Sequence, residues 1–236
     1  MTTTAELKAD LAVANRILVS KGVLDAFGHV SARDTEDPSR FLLARNLAPG
    51  DVEAGDVIVY DADGQSSDPR PGYLERYIHS EIYRSRPDVG AVIHSHAPDV
   101  LPFAVGSVPL RAVTHMAAFL DGDAPVFEIR DVAGDASDLL IRDQSLGSAL
   151  AHVLGDSTVA LMRGHGSVVV APTLPHVVQR AVYLAVNARV QLQALATGPV
   201  TALSPGECAA ARVANDGQVA RAWNVWRGEV AERTRP

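Results

Sequence analysis

Ala91-Val92-Ile93-His94-Ser95-His96 runs from an apolar strand straight into two histidines. In an extended strand, alternate side chains leave on the same face. His94 and His96 therefore point to one side and Ser95 to the other. Two readings follow. Either the imidazoles converge on one metal ion, for which histidine is the commonest ligand, or they are a polar pair in the core, each with its own hydrogen-bond partner.

Working outward, the pattern predicts a helix near Pro98 to Val105, a strand over Val126 to Ile129 and a helix near Leu146 to Leu154. Strands over Val159 to Met162 and Ser167 to Val170 bracket Gly164-His165-Gly166. His165 thus sits at a strand-to-strand corner. Its flanking glycines free the backbone to aim it at a shared centre, although a solvent-facing turn histidine fits the same local sequence. A long amphipathic helix is predicted from Pro175 to Thr197.

Toward the N-terminus, Pro69, Pro71 and Gly72 form a stiff loop before a helix over Leu74 to Arg84, with Leu74, Ile78 and Ile82 as its apolar face. Glu75 lies at the start of that helix, where the dipole favours a carboxylate. It is either a ligand or proton-moving group, or a plain N-terminal helix charge. His79 shares its face four residues on and is expected to partner Glu75 or backbone. Strands are predicted over His29 to Arg33, Phe41 to Arg45 and Val57 to Tyr60. Thr3 to Glu6 reads as a capping box that opens a first helix, carried by Leu7, Leu11, Ala14, Ile17 and Leu18 and closed at Lys21-Gly22. Strands and helices alternate without a strict βαβ rhythm, which implies one α/β sandwich around a mixed sheet.

Composition narrows the function classes. With 47% hydrophobic and 21% charged residues in 236, the chain is an ordinary globular protein of one large or two small domains. A net charge of −7 without a basic stripe argues against nucleic acid as a partner. No apolar run reaches the roughly 18 residues of a membrane span. The single cysteine, Cys208, excludes an internal disulfide and a cysteine-built metal site. The polar N-terminus lacks the order of a signal peptide, so the chain is read as cytoplasmic.

Taken together, Gly28-His29-Val30-Ser31, Glu75 with His79, Val92-Ile93-His94-Ser95-His96 and Arg163-Gly164-His165-Gly166 resemble the class II aldolase/adducin superfamily over about Lys8 to Ala210. The resemblance implies one αβα sandwich domain over residues 1–236, with a central mixed, largely antiparallel sheet and 211–236 as a C-terminal tail. It implies that His94, His96, His165 and Glu75 hold one divalent metal ion per subunit (Mn, Zn, Fe or Co, with Mn preferred). It also implies that Glu75 acts as acid/base, and that the chain forms a homo-oligomer, a tetramer or larger, with sites near subunit boundaries.

The departures from the sugar-phosphate aldolases narrow the substrate. Those enzymes cradle phosphate with an Asn after the first Gly, a Ser/Thr-Gly turn and a Ser pair before the glutamate. Here the same places read His29, Ala44-Arg45-Asn46 and Tyr73-Leu74. Arginine pairs bidentately with a planar carboxylate, and tyrosine offers an aromatic wall with a polar tip. His115 stands where aldolases often carry a proton-donating Tyr from a neighbouring subunit. The stretch Leu24 to Arg33 is especially similar to the decarboxylase branch, which acts on hydroxylated aromatic or pyridine dicarboxylates. The resemblance thus points to a metal-dependent carboxy-lyase of aromatic catabolism acting on a small anionic aromatic substrate. Its expected substrate contacts are His29, Ser31, Arg45, Tyr73 and Arg163, with His115 and Glu75 as catalytic groups. An aldolase or epimerase acting on a non-phosphorylated hydroxy acid or sugar, a non-catalytic adducin-like module and an iron-dependent oxygenase are the rival readings.

Overall fold

A computed structural model of the chain describes residues 2–233. Its elements run α1 (Thr4–Ser20), β1 (His29–Arg33), β2 (Phe41–Ala44), β3 (Val57–Tyr60), α2 (Arg76–Ser85), β4 (Ala91–Ser95), α3 (Leu101–Val105), β5 (Val126–Phe127), α4 (Arg130–Ala133), α5 (Gln144–Leu154), β6 (Val159–Met162), β7 (Gly166–Ala171), α6 (Leu174–Leu195), α7 (Pro205–Asp216) and α8 (Val219–Arg233), with short 3-10 turns between some of them. The strands form one seven-stranded sheet in the order β3-β2-β1-β4-β7-β6-β5. Every neighbouring pair is antiparallel except β5 with β6.

Strand alternation sorts the core into two layers. Ala91 and Ile93 of β4 face the side covered by α1, α6 and α8, where Leu11, Ile17, Leu18 and Val178 are buried with them. Val92 faces the other side, where Ile78 and Ile82 of α2 and Leu150 of α5 complete a second cluster. Each fully buried aliphatic side chain of this kind contributes about 1.5–3 kcal/mol. The result is the expected αβα sandwich around a mixed, largely antiparallel sheet.

Most predicted elements match the structure to within a residue or two. The capping box of α1 forms: the Thr3 hydroxyl accepts from the Glu6 N–H, and the Glu6 carboxylate accepts from the Thr3 N–H. Helix α2 starts later than expected. Glu75 is its N-cap, and Leu74 is 59% exposed instead of joining the apolar face. The segment read as a tail is helical. Val219, Trp223, Trp226 and Val230 recur at helical spacing and are buried, and α8 packs on α1 and α6. Residues 234–236 of that expected tail, and Met1, lie outside the described residues. No helix among the described residues is long and apolar enough to cross a membrane.

One end of the sheet collects the histidines. The antiparallel register sets His29, at the start of β1, directly opposite His94, near the end of β4. The β6–β7 turn that carries His165 lies at the same end, because β7 runs antiparallel to β4.

Candidate metal centre

His94 is fully buried on the α2 face of β4, and His96 lies just past the strand end. Ser95 turns to the opposite face, 3.5 Å from the Ser167 hydroxyl. The turn after β6 brings in the third imidazole. Gly164 adopts φ +67°, a left-handed conformation that side chains disfavour. At Gly166 a Cβ would stand 2.2 Å from the Ser95 carbonyl oxygen and 3.0 Å from His96 Cδ2. Only glycine lets β7 come this close to β4. The close approach carries His165 beside the strand pair, with ring centroids 4.8 Å from His94 and 5.0 Å from His96.

Glu75 enters from the start of α2. Its Oε2 lies 3.6 Å from His94 Nε2 and 3.5 Å from His165 Nε2. Its Oε1 accepts from the Ile141 N–H at 3.0 Å, which fixes the carboxylate plane. One ligand atom from each of Glu75, His94, His96 and His165 lies within 4.8 Å of all the others.

The chemistry of this donor set fits a divalent cation. His94 donates its Nδ1–H to the Ser167 carbonyl at 3.2 Å, which leaves Nε2 as a lone pair. That nitrogen is 3.0 Å from His96 Nε2. A carbonyl partner behind a ligating ring is the usual way to fix its tautomer. Burial pushes the His94 imidazole down to about 3, so it is neutral near pH 7. Burial alone would raise the Glu75 carboxyl, but the His94 and His165 imidazoles and the Ile141 N–H hold it at about 2. His165 Nδ1 is buried without a hydrogen-bond partner among the described residues. Imidazoles beside one carboxylate suit Zn, Mn, Fe or Co and do not choose among them.

A second layer stands behind the cluster. His29 is 4% exposed, its ring set between those of Tyr73 and His94 at 4.7 and 5.1 Å. His79 does not pair with Glu75 or backbone, as its helical spacing suggested. It lies between His29 Nδ1 and the Ser31 hydroxyl, 2.6 Å from each. Ser31 is fully buried, and His79 and Tyr83 occupy its hydroxyl. The hydroxyl expected to contact substrate is thus taken up by these two partners. The Tyr73 hydroxyl donates to the Leu47 carbonyl at 2.5 Å, leaving the ring as a wall against His29.

The arginines are partly engaged. Arg45 Nε donates to Asp56 at 2.8 Å, while its Nη atoms make no hydrogen bond among the described residues. Arg163 pairs with Glu128 at 2.5 Å, and Glu128 also binds Arg130. His115 does not join the cluster. It is exposed on the 3-10 turn His115–Ala117, which packs against α6 and α7. Asn187 and Gln191 of α6 pin the approach to this turn by hydrogen bonds to the backbone of residues 109–114.

The buried imidazoles make acid stability a test of the site. Burial lowers His29 well below its ordinary 6.5 and lowers His79 and His94 to about 3. Below pH 6.5 the unfolded chain binds protons that the folded one refuses. Their contribution is therefore complete above that value and is lost as pH falls toward 3. Each proton taken up costs up to about 1.4 kcal/mol per pH unit. Metal-free protein should melt at a clearly lower temperature at pH 5 than at pH 7 by calorimetry. A flat profile would contradict neutral burial of these rings.

Sequence reasoning missed Ile141, Ser167 and Tyr83. Two of them act through backbone groups, which no residue type announces. Tyr83 carried a legible signal, since it lies four residues after His79 on the face that also holds Ile78 and Ile82.

Residues 9–192 match the family described as the class II aldolase and adducin N-terminal domain. The chain is 36% identical over 239 residues to decarboxylase tropJ of Talaromyces stipitatus, covering 91% of this chain and 90% of that protein. It is 30% identical over 216 residues to a 3,4-dihydroxyphthalate decarboxylase of Arthrobacter keyseri, covering 83% and 82%. A crystal structure of an aldolase II superfamily protein from Pseudomonas syringae superposes with a TM-score of 0.81 at 23% identity, over 99% of this chain and 95% of that one. The chain belongs to the class II aldolase and adducin family.

Proposed function

We propose that the chain is a divalent-metal-dependent decarboxylase of a hydroxylated aromatic or pyridine carboxylate or dicarboxylate. The convergence of Glu75, His94, His96 and His165 within 4.8 Å is the observation that carries this reading. The decarboxylases to which the chain is similar favour loss of carbon dioxide over aldol cleavage. Manganese is the preferred ion, ahead of zinc, iron and cobalt.

A bound cation supplies Lewis acidity that stabilises negative charge developing beside the breaking bond. The chain supplies the rest. Glu75, ionised in the resting site, takes the proton of the ring hydroxyl ortho to the departing carboxylate. Glu75 then delivers that proton to the ring carbon that bears the departing carboxylate. The carbon–carboxylate bond breaks, carbon dioxide leaves, and the bond's electron pair restores the aromatic ring. The Arg45 Nη atoms and His29 meet the remaining carboxylate, the Tyr73 ring borders the aromatic plane, and Arg163 stands beside His165. His115, exposed on its own chain, serves the site of a neighbouring copy, which makes the active form a homo-oligomer, a tetramer or larger.

Incubation of manganese-loaded protein with ortho-hydroxy aromatic carboxylates, 3,4-dihydroxyphthalate among them, should release carbon dioxide stoichiometric with substrate loss. An aldehyde product from a hydroxy acid or sugar would instead identify an aldolase. Oxygen consumption would identify an oxygenase. A purified protein that retains no metal and turns nothing over would leave a binding module.

A further inference from the structure

Four buried polar groups run in single file away from the metal centre. His29 Nδ1 meets His79 Nε2 at 2.6 Å, His79 Nδ1 meets the Ser31 hydroxyl at 2.6 Å, and that hydroxyl meets the Tyr83 hydroxyl at 2.8 Å. Every member has a fully or nearly fully buried side chain. A file of this kind has few ways to place its protons, because a buried donor without an acceptor costs about 1–3 kcal/mol.

Counting from the far end fixes the direction. The Tyr83 hydroxyl has one acceptor among the described residues, the Ser31 oxygen. Tyr83 therefore donates to Ser31. The Ser31 hydrogen then has only His79 Nδ1 to receive it. His79 accepts there, so it carries its proton on Nε2 and donates to His29 Nδ1. His29 is left with its proton on Nε2. That nitrogen makes no hydrogen bond among the described residues, and the His29 ring centre lies 5.1 Å from that of His94.

We infer that Tyr83, Ser31 and His79 form a one-way hydrogen-bond relay that locks His29 as its Nε2–H tautomer, so that the site presents a fixed donor to an anionic substrate oxygen. Tyr83, Ser31 and His79 are positioning residues that act through His29. Only the identity of the acceptor rests on the proposed function. The tautomer is a property of the chain itself. The physical gain is preorganisation. A free imidazole divides between two tautomers and offers a donor only part of the time, and that fraction lowers its apparent affinity.

The test is nitrogen NMR of the imidazoles in zinc-loaded protein, zinc being diamagnetic, together with calorimetric binding of phthalate. The native spectrum should show His29 protonated at Nε2 and bare at Nδ1. Ser31→Ala takes away the donor to His79 Nδ1, so it should mix the two tautomers and weaken phthalate by about twofold. His29→Phe should weaken it by about tenfold, the worth of one hydrogen bond to a charged group. A native spectrum with the proton on Nδ1, or a Ser31→Ala spectrum identical to native, overturns the relay. Equal phthalate binding by native and His29→Phe protein overturns the presented donor. The spectrum requires no turnover, so a missing decarboxylase activity and a missing relay are separate results.

Discussion

His94→Ala is expected to give a folded protein that retains no divalent metal and has lost more than about a thousandfold in turnover. His94 contributes the Nε2 that lies 3.0 Å from His96 Nε2 and 3.6 Å from the Glu75 carboxylate. It is also the ring held from behind, by the Ser167 carbonyl at 3.2 Å. Removing it leaves two imidazoles and a carboxylate, with the best-oriented donor gone. Stabilisation of developing charge by a cation is worth several kcal/mol, and each 1.4 kcal/mol is a factor of about ten in rate. The fold should survive. The substitution deletes a desolvated polar ring and leaves the apolar cluster around Val92, Ile78 and Leu150 intact. Elemental analysis after dialysis reads the metal, and the far-ultraviolet dichroism spectrum reads the fold. Full metal occupancy would remove His94 from the ligand set.

Glu75→Gln should lower turnover by about 10²–10⁴-fold at saturating metal, the usual worth of a positioned proton-transfer group. The amide keeps the shape of the carboxylate, and its oxygen can still accept from the Ile141 N–H, which now stands 3.0 Å from Oε1. What disappears is the charge and the capacity to take and return a proton. The native carboxyl is held at about 2. It is therefore ionised throughout the working range, and its first act is to accept. Steady-state rates at several metal concentrations separate lost proton transfer from weakened metal binding. Near-normal turnover with metal in excess would exclude Glu75 from the proton path.

The metal centre was legible in the sequence because its signals are local. Period-two alternation is enough to put His94 and His96 on one side, and paired glycines mark the corner that aims His165. The relation of that corner to β4 was not legible, because it depends on strand register, and no local pattern states that His29 faces His94 across the sheet. The same limit explains Ser31 and His79. Each has an ordinary local reading, and only the pairing of β1 with β4 under α2 joins them into a file. Arg45 shows another limit: its Nε binds Asp56, eleven residues on, a contact made by the path of the loop between them. The helix within the tail was not legible for want of weight. Four apolar residues at helical spacing in a polar segment are a weak signal until α1 and α6 offer them a surface.

The strand order has a consequence for how the protein comes into being. The middle strand of the sheet pairs with one strand some sixty residues before it and another some seventy-five after it, Ile93 facing Val30 on one side and Val169 on the other. Contacts so distant along the chain are slow to form, because the intervening loops must close first. During synthesis the early hairpins therefore wait with an open edge until residue 171 has emerged, and a chain that ends before residue 165 lacks one of the four donor groups. The catalytic centre is among the last things to be completed, so an ion that binds there finds a chain already committed to its native topology.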